Sequence, residues 1–203
     1  MSFFDNPKNF GLAAIVIGAV SMLAGIVGIV KGVLADPIAT GIVVAAVGTI
    51  LYGVLILGVG LPVYKGEESD KLTILGMFVR FVGLATIVVG VFTGAGQIID
   101  DSLAVGVTTI VIQAVLGLVL IWIAGRIVDG SVDTLDRIVW IILLVVFAIL
   151  TVFALVGIFI PFFAELAVLD LLVEVVLSLC QFILYAFLLV SVLSNEVKSA
   201  MGM

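Results

Sequence analysis

Six long apolar segments, separated by short polar breaks, constrain this chain more than any other feature of its sequence. Each is about as long as the roughly 20 residues that a helix needs to cross the hydrocarbon core of a bilayer. Backbone polar groups in lipid must be satisfied within the segment, which favours helices. The sequence therefore predicts an all-α polytopic membrane protein, a single transmembrane domain over residues 1–203 with six transmembrane helices. The approximate spans are 10–30, 38–61, 72–99, 103–124, 138–160 and 167–193.

Composition leaves little of the chain outside those spans. Hydrophobic residues make up 65% and charged residues 11% of the sequence, whereas about 25% are charged in a typical soluble domain. Histidine is absent and Cys180 is the single cysteine, which removes the usual ligands of haem, iron–sulfur, copper and most zinc sites. Phosphate-loop, metalloprotease and nucleophile-elbow motifs are also missing. We therefore expect no enzyme activity, no cofactor, no metal site and no nucleic-acid partner.

A stripe of small residues follows the first segment. Its members alternate three and four positions apart, so they share one helix face. In lipid such a face allows another helix to approach closely. The stripe thus predicts helix packing, and its partner is either a sister helix or another protein. The stripe comprises Gly11, Ala14, Gly18, Ser21, Gly25, Gly28 and Gly32.

The stripe is echoed in the third segment. Residues 11–18 and 83–90 are identical at six of eight positions, so Gly83 and Gly90 fall in the register of Gly11 and Gly18. The echo becomes polar further along, through Thr93, Gln97 and Asp100. A second alignment makes Gly48, Gln113 and Gln181 equivalent. Together they predict three helical hairpins related by an internal repeat of about 65 residues, all with the same orientation.

Basic residues indicate the orientation, because they favour the cytoplasmic side of short loops. Six spans place Lys31 on one side and the other basic residues opposite. We therefore expect a protein integral to the cell membrane, with the N- and C-termini cytoplasmic and an acidic outer surface. The cytoplasmic basic residues are Lys8, Lys65, Lys71, Arg80, Arg126, Arg137 and Lys198. The outer acidic residues are Asp36, Asp100, Asp101, Glu165, Asp170 and Glu174.

Arg80 lies within the third apolar segment. That segment is longer than the roughly 30 Å hydrocarbon core requires, so we expect Arg80 to reach the cytoplasmic headgroups by snorkelling. The alternative is a buried ion pair.

Polar side chains follow one face of the sixth segment, and Gln113 on the fourth segment is a candidate to oppose them. Thr109, next to Gln113 on its helix face, and Tyr52 are further candidates. Their oxygens suit a hydrated cation or a proton relay. The same side chains are equally suited to bonding neighbouring helices. The candidate polar path comprises Asp170, Glu174, Ser178, Gln181, Tyr185 and Gln113.

Two functions are compatible with these patterns. The favoured one is a structural or accessory subunit that packs through small-residue helix faces, either as a homo-oligomer or with other membrane subunits. The alternative is a small channel or transporter for a cation or small solute, with a polar path along helix six. The lipid bilayer is a partner in both.

Overall fold

The computed structural model describes residues 3–128, 132–163 and 168–203, with the side chains of the last range described from Leu171 onward. Helix accounts for 88% of the structure, and no strand occurs in the described ranges. Six of the helices are long and apolar enough to cross a membrane, which confirms the predicted helical, polytopic architecture. They are α1 (Pro7–Leu34), α2 (Thr40–Lys65), α3 (Lys71–Ile99), α4 (Leu103–Val128), α5 (Thr134–Gly157) and α6 (Val168–Leu193).

Short helical elements accompany the spans. A 3-10 turn at Phe3–Asp5 precedes α1, and another at Ile160–Phe163 follows α5. The tail after α6 forms a short helix, α7 (Asn195–Ala200), which the apolar pattern does not predict. Ser194 is its N-cap and accepts a hydrogen bond from the Val197 backbone N–H at 3.4 Å.

The beginning and end of α2 differ from the sequence-based expectation. The predicted span begins at residue 38, but α2 begins at Thr40, and Asp36 and Pro37 lie in the preceding loop. The Ala39 backbone N–H donates to Gly32 O at 3.0 Å, so the chain is still turning at that point. The predicted span ends at residue 61, but α2 continues through Pro62 to Lys65. Because Pro62 has no N–H, it cannot donate to the carbonyl of Gly58 four residues earlier, and only three further helical residues follow it.

The turn between α3 and α4 lies where Asp100, Asp101 and Ser102 predict it. Asp101 has a φ of 61°, a left-handed conformation that aspartate tolerates better than most residues. The Ser102 backbone N–H donates to Gln97 O at 2.8 Å, and Ser102 O accepts from Gly106 N–H at 2.9 Å. The three-residue turn therefore satisfies backbone groups of both helices.

The described residues form two compact units. The first comprises Met1–Ile17, Val59–Met77 and Gly125–Met203, and the second comprises Gly18–Gly58 and Phe78–Ala124. In the first unit, α5 pairs with α6, and the buried Trp140 indole N–H donates to Val192 O at 2.9 Å. The rings of Phe10 and Phe187 lie 4.9 Å apart in the same core.

The small-residue stripe of α1 packs against α2 of the same chain. In the second unit, a Cβ atom added to Gly18 would lie 2.8 Å from Gly53 O, and one added to Gly25 would lie 2.8 Å from Ala46 O. These pairs are seven residues apart on each helix, the repeat of a left-handed antiparallel pair. The sister helix is thus a partner of this face.

The other members of the stripe follow the same arrangement, with one exception. A Cβ at Gly32 would lie 3.2 Å from Ala39 O, and one at Gly28 would lie 2.9 Å from Ala46 Cβ. In the first unit, Gly11 and the fully buried Ala14 lie against Gly60 of α2. Ser21 instead lines a cavity.

The second hairpin also has close backbone contacts between small residues. A Cβ at Gly83 would lie 2.7 Å from Gly117 O, and one at Gly94 would lie 2.6 Å from Gly106 O. The first and second hairpins therefore share a packing mode as well as a sequence echo. The buried residues of α5 include larger side chains instead, among them Trp140, Leu143 and Phe147.

Candidate functional site: a polar cavity among α1 to α4

A cavity of 560 Å³ lies within the second unit, among α1, α2, α3 and α4. Small-molecule sites typically occupy about 300–1,000 Å³, so its size suits a small ligand. Most of its lining side chains carry a hydroxyl or carboxamide group, although the helices around it are strongly apolar. The lining residues are Ser21, Thr49, Tyr52, Val82, Ala85, Thr86, Val89, Gly90, Thr93, Thr109 and Gln113.

Four of the polar lining residues lie near the midpoints of their helices, whereas Thr93 and Thr109 lie closer to the ends that meet at the α3–α4 turn. Ser21 lies near the midpoint of α1 and Tyr52 near that of α2, while Thr86 and Gln113 lie close to the midpoints of α3 and α4. A helix that spans the bilayer carries its midpoint near the centre of the hydrocarbon core. In helices that span a bilayer, polar groups at these positions lie at the depth where lipid solvates them least.

Two of the threonine hydroxyls are bonded within their own helices. Thr86 Oγ1 donates to Val82 O at 2.8 Å, and Thr49 Oγ1 donates to Ala45 O at 3.5 Å. A hydroxyl has one donor hydrogen and two acceptor lone pairs. With the hydrogen used in this way, each oxygen offers acceptor capacity to the cavity.

Gln113 depends on a glycine of the facing helix. A Cβ atom added to Gly90 would overlap the Cβ and Cγ atoms of Gln113. The missing side chain at Gly90 therefore makes the space that Gln113 occupies beside the cavity. Its carboxamide brings two donors and one acceptor to the site. Gly90, predicted as a packing residue, thus also positions a polar side chain.

Gln97 and Thr109 join α3 to α4 beside the cavity. Thr109 Oγ1 donates to Gln97 Oε1 at 2.8 Å, and Thr109 is a lining residue. Thr93 lies one turn from Gln97 along α3 and lines the cavity as well. The polar echo of the stripe therefore follows the cavity wall and continues toward the end of α3.

A second concavity of 410 Å³ runs along α4. It shares Thr109 and Gln113 with the main cavity. Its remaining lining residues also belong to α4, and they are Ala104, Val105, Thr108 and Ile112. Thr109 and Gln113 therefore border both concavities.

Charged side chains do not line the main cavity, as far as the described residues show. Arg80 is exposed on α3, which does not agree with a buried ion pair, and its position at the membrane boundary stays a prediction. Asp100 is exposed at the other end of the helix and lies against Gly41. Within the described ranges, no group of three or more His, Cys, Asp or Glu side chains is placed to hold a metal ion.

The candidate residues of α6 belong to the first unit, whereas Gln113 belongs to the second. Glu174 is exposed, and Gln181 and Tyr185 are half-buried. Ser178 is half-buried too and packs against Gly157 of α5. The side chain of Asp170 and all of Glu165 lie outside the described residues. Of the predicted path, the cavity lining therefore contains Gln113 alone, and the path along α6 stays a prediction.

A charged cluster precedes α5 in the first unit, and the apolar pattern does not reveal it. Asp133 caps α5, and the fully buried Asp136 completes a capping box by accepting from the Asp133 backbone N–H at 2.8 Å. Arg126 Nη2 lies 2.6 Å from Asp133 Oδ2 and 3.0 Å from Asp136 Oδ1. The hydrogen bond from Arg126, aided by backbone N–H groups, holds the pKa of Asp133 below its usual value of 3.8. This cluster fixes the start of α5.

Comparison with known proteins does not add to this geometry. The chain matches no family model, and neither a curated protein nor a solved structure is significantly similar to it.

Proposed function

We propose that this protein is a small membrane transporter or channel whose solute site is the cavity among α1 to α4. The observation that carries the proposal is the concentration of hydroxyl and carboxamide groups at the middle of four apolar helices. Polar residues at this depth are costly in lipid and mark solute pathways. Here they face a space large enough for a small molecule.

The proposal assigns the solute site to residues of α1 to α4 and not to the α6 path. Gln113, Thr109 and Tyr52, which the sequence offers as companions of the α6 path, are lining residues of the cavity. Glu174 is exposed on α6. The transport hypothesis is therefore best supported in the form in which α1 to α4 supply the groups that bind the solute.

The alternative is a structural or accessory subunit, alone as a homo-oligomer or with other membrane subunits. Its main sequence support is the small-residue stripe of α1. Because that stripe packs against α2 within the chain, it supplies less support for contact with another protein. The exposed apolar faces of α4 and α5 favour a protein partner no more than they favour lipid.

The proposed orientation places both termini in the cytoplasm. An even number of spans brings the termini to the same side, and the distribution of Lys and Arg in the short loops favours the cytoplasmic side. The charged cluster of Arg126, Asp133 and Asp136 then lies at the cytoplasmic end of α5.

The test is solute flux into liposomes that contain the purified full-length protein, with glycerol, urea and ⁸⁶Rb⁺ as probes. Gln113→Leu replaces the carboxamide side chain with an apolar one of similar size and so removes its hydrogen-bonding groups. It should lower flux of the transported probe by about tenfold, the effect of about 1.4 kcal/mol. Glu174→Gln, on α6, is the matched control and should keep the parent rate.

Each result distinguishes among the three readings. Loss of flux in Gln113→Leu but not in Glu174→Gln supports the proposed cavity. The reverse pattern would favour the path along α6. If protein-containing and protein-free liposomes take up every probe equally, the transport proposal fails and the accessory role gains support.

A further inference from the structure

We infer that the cavity takes a small uncharged solute with several O–H or N–H donors on a carbon skeleton, and that Gln113 determines this specificity. The inference rests on the proposed function and adds the class of solute. It follows from three properties of the walls: their charge, their acceptor groups and their apolar surface.

The lining carries no charged side chain within the described part of the chain. Moving an ion from water into a medium of low dielectric constant is very costly unless opposite charge or a nearly complete set of ligands replaces its water. Selective cation sites supply rings of carbonyls or carboxylates for this purpose. Neither is present among these side chains, so an uncharged solute is favoured.

The hydroxyl groups favour a solute that donates hydrogen bonds. Thr86 and Thr49 donate to backbone carbonyls of their own helices, and Thr109 donates to Gln97. All three hydroxyl hydrogens are thus engaged within the protein, which leaves oxygen lone pairs for a ligand. A solute with several O–H or N–H groups satisfies these acceptors.

Part of the α3 wall is apolar. Ala85 and Val89 line the cavity between and beside the polar positions of that helix. This surface can contact the carbon atoms of a solute but offers nothing to a bare cation. Polar groups on one side and apolar groups on another are the usual composition of a small-molecule site.

Gln113 supplies hydrogen-bond donors that Thr49, Thr86 and Thr109 do not offer to a ligand. Its carboxamide contributes two N–H donors and an acceptor, so it can pair with an acceptor of the solute. Gly90 leaves the room that this side chain occupies. A carboxylate at position 113 would remove the donors and add a charge in the middle of the membrane, whereas asparagine would keep the same group on a shorter stem.

The experiment compares liposome flux of glycerol and urea with flux of ⁸⁶Rb⁺ for the full-length parent and for Gln113→Glu. Parent protein should raise glycerol or urea flux above that of protein-free liposomes and leave ⁸⁶Rb⁺ flux unchanged. Gln113→Glu should lower the flux of the uncharged probe by about tenfold. Gln113→Asn and Gly90→Ala serve as independent variants in case Gln113→Glu fails to fold. We expect Gln113→Asn to lose less flux than Gln113→Glu, and Gly90→Ala to lose a comparable amount. Glu174→Gln should resemble the parent.

The outcomes separate this inference from the proposed function. Parent protein that transports ⁸⁶Rb⁺ as well as, or instead of, the uncharged probes would overturn the inference while leaving transport in place. Flux of an uncharged probe that is unaffected in every folded position-113 variant and in Gly90→Ala would also overturn it. Absence of flux for all probes would overturn the proposed function itself.

Discussion

Replacing Gly53 of α2 by alanine tests the packing of α1 against α2 most sharply. The new Cβ atom would lie 2.5 Å from Gly18 O, 2.6 Å from Met22 Cγ and 3.0 Å from Met22 N. Ordinary contacts begin near 3.4 Å, so relief of the closest overlap requires the helices to separate locally by about 0.9 Å. The nearest atoms include backbone, which cannot turn away as a side chain does.

A separation of this size is costly because close packing between α1 and α2 stabilises the hairpin. A gap of 0.5–1 Å removes about a quarter to a half of each dispersion contact across it. Overpacking by one methyl group commonly costs about 1–3 kcal/mol. Alanine also has a higher helix propensity than glycine by about 1 kcal/mol, which partly masks the loss in a single variant.

Gly58→Ala, in the same helix, gains the same helix propensity, so a comparison of the two variants removes that contribution. A Cβ atom there would lie 3.6 Å from Phe81 Cε1, an ordinary contact. We therefore expect Gly53→Ala to be less stable than Gly58→Ala by about 1–3 kcal/mol. SDS titration of the detergent-solubilised protein, followed by circular dichroism, measures the difference. Equal stability of the two variants would refute the reasoning that the small residues set the α1–α2 distance.

Three further changes probe other contacts. Thr109→Val removes the donor to Gln97 and should lower the free energy of unfolding by about 0.6 kcal/mol in the same titration, the average for such bonds in membranes. Thr108→Val, at an exposed position, should lower it less. Equal losses in the two variants would contradict the role of the bond. Trp140→Phe removes the buried indole donor to Val192 O and should destabilise the α5–α6 pair by about 1–3 kcal/mol. Trp122 is 53% exposed, so Trp122→Phe should have little effect. A larger loss of stability in Trp122→Phe than in Trp140→Phe would contradict this. The lowered pKa of Asp133 implies a stabilising contribution that is present above its ordinary value of 3.8 and is lost as pH falls through the lower folded value. Unfolding measured between about pH 2 and 6 should show this loss of stability in the parent and a smaller loss in Asp133→Asn. Identical pH profiles of the two proteins would argue against this contribution.

The spans were predictable because lipid imposes a simple requirement of length and apolarity on each helix. The exact helix ends depend on local hydrogen bonds that hydropathy does not register. The Ala39 backbone N–H bonds back to Gly32 O, so α2 begins only at Thr40. Pro62 does not end α2, but only three helical residues follow it. The Asp133–Asp136 capping box has a recognisable spacing, but it covers only four residues at the start of α5, where hydropathy shows no more than a polar break.

The cavity was predictable only in part. Gln113, Thr109 and Tyr52 are visible as polar residues in apolar segments, and the α3 echo of the stripe contains Thr93. Ser21 and Gly90 fit a packing stripe equally well, because small residues serve both to bring helices together and to leave space between them. Which role each has depends on the residue that faces it: Gly53 faces Gly18, whereas Gln113 faces Gly90. Periodicity within one helix does not contain that information.

Solute protection of a cysteine in the cavity tests the central claim most directly. In a Cys180→Ala background, Thr93→Cys on α3 and Ser178→Cys on α6 are each reconstituted into liposomes and treated with a small water-soluble thiol reagent. The cavity proposal predicts that Thr93→Cys reacts and that the transported uncharged probe slows the reaction, while Ser178→Cys gains no such protection. Protected labelling at Ser178→Cys, with Thr93→Cys unreactive, would contradict it.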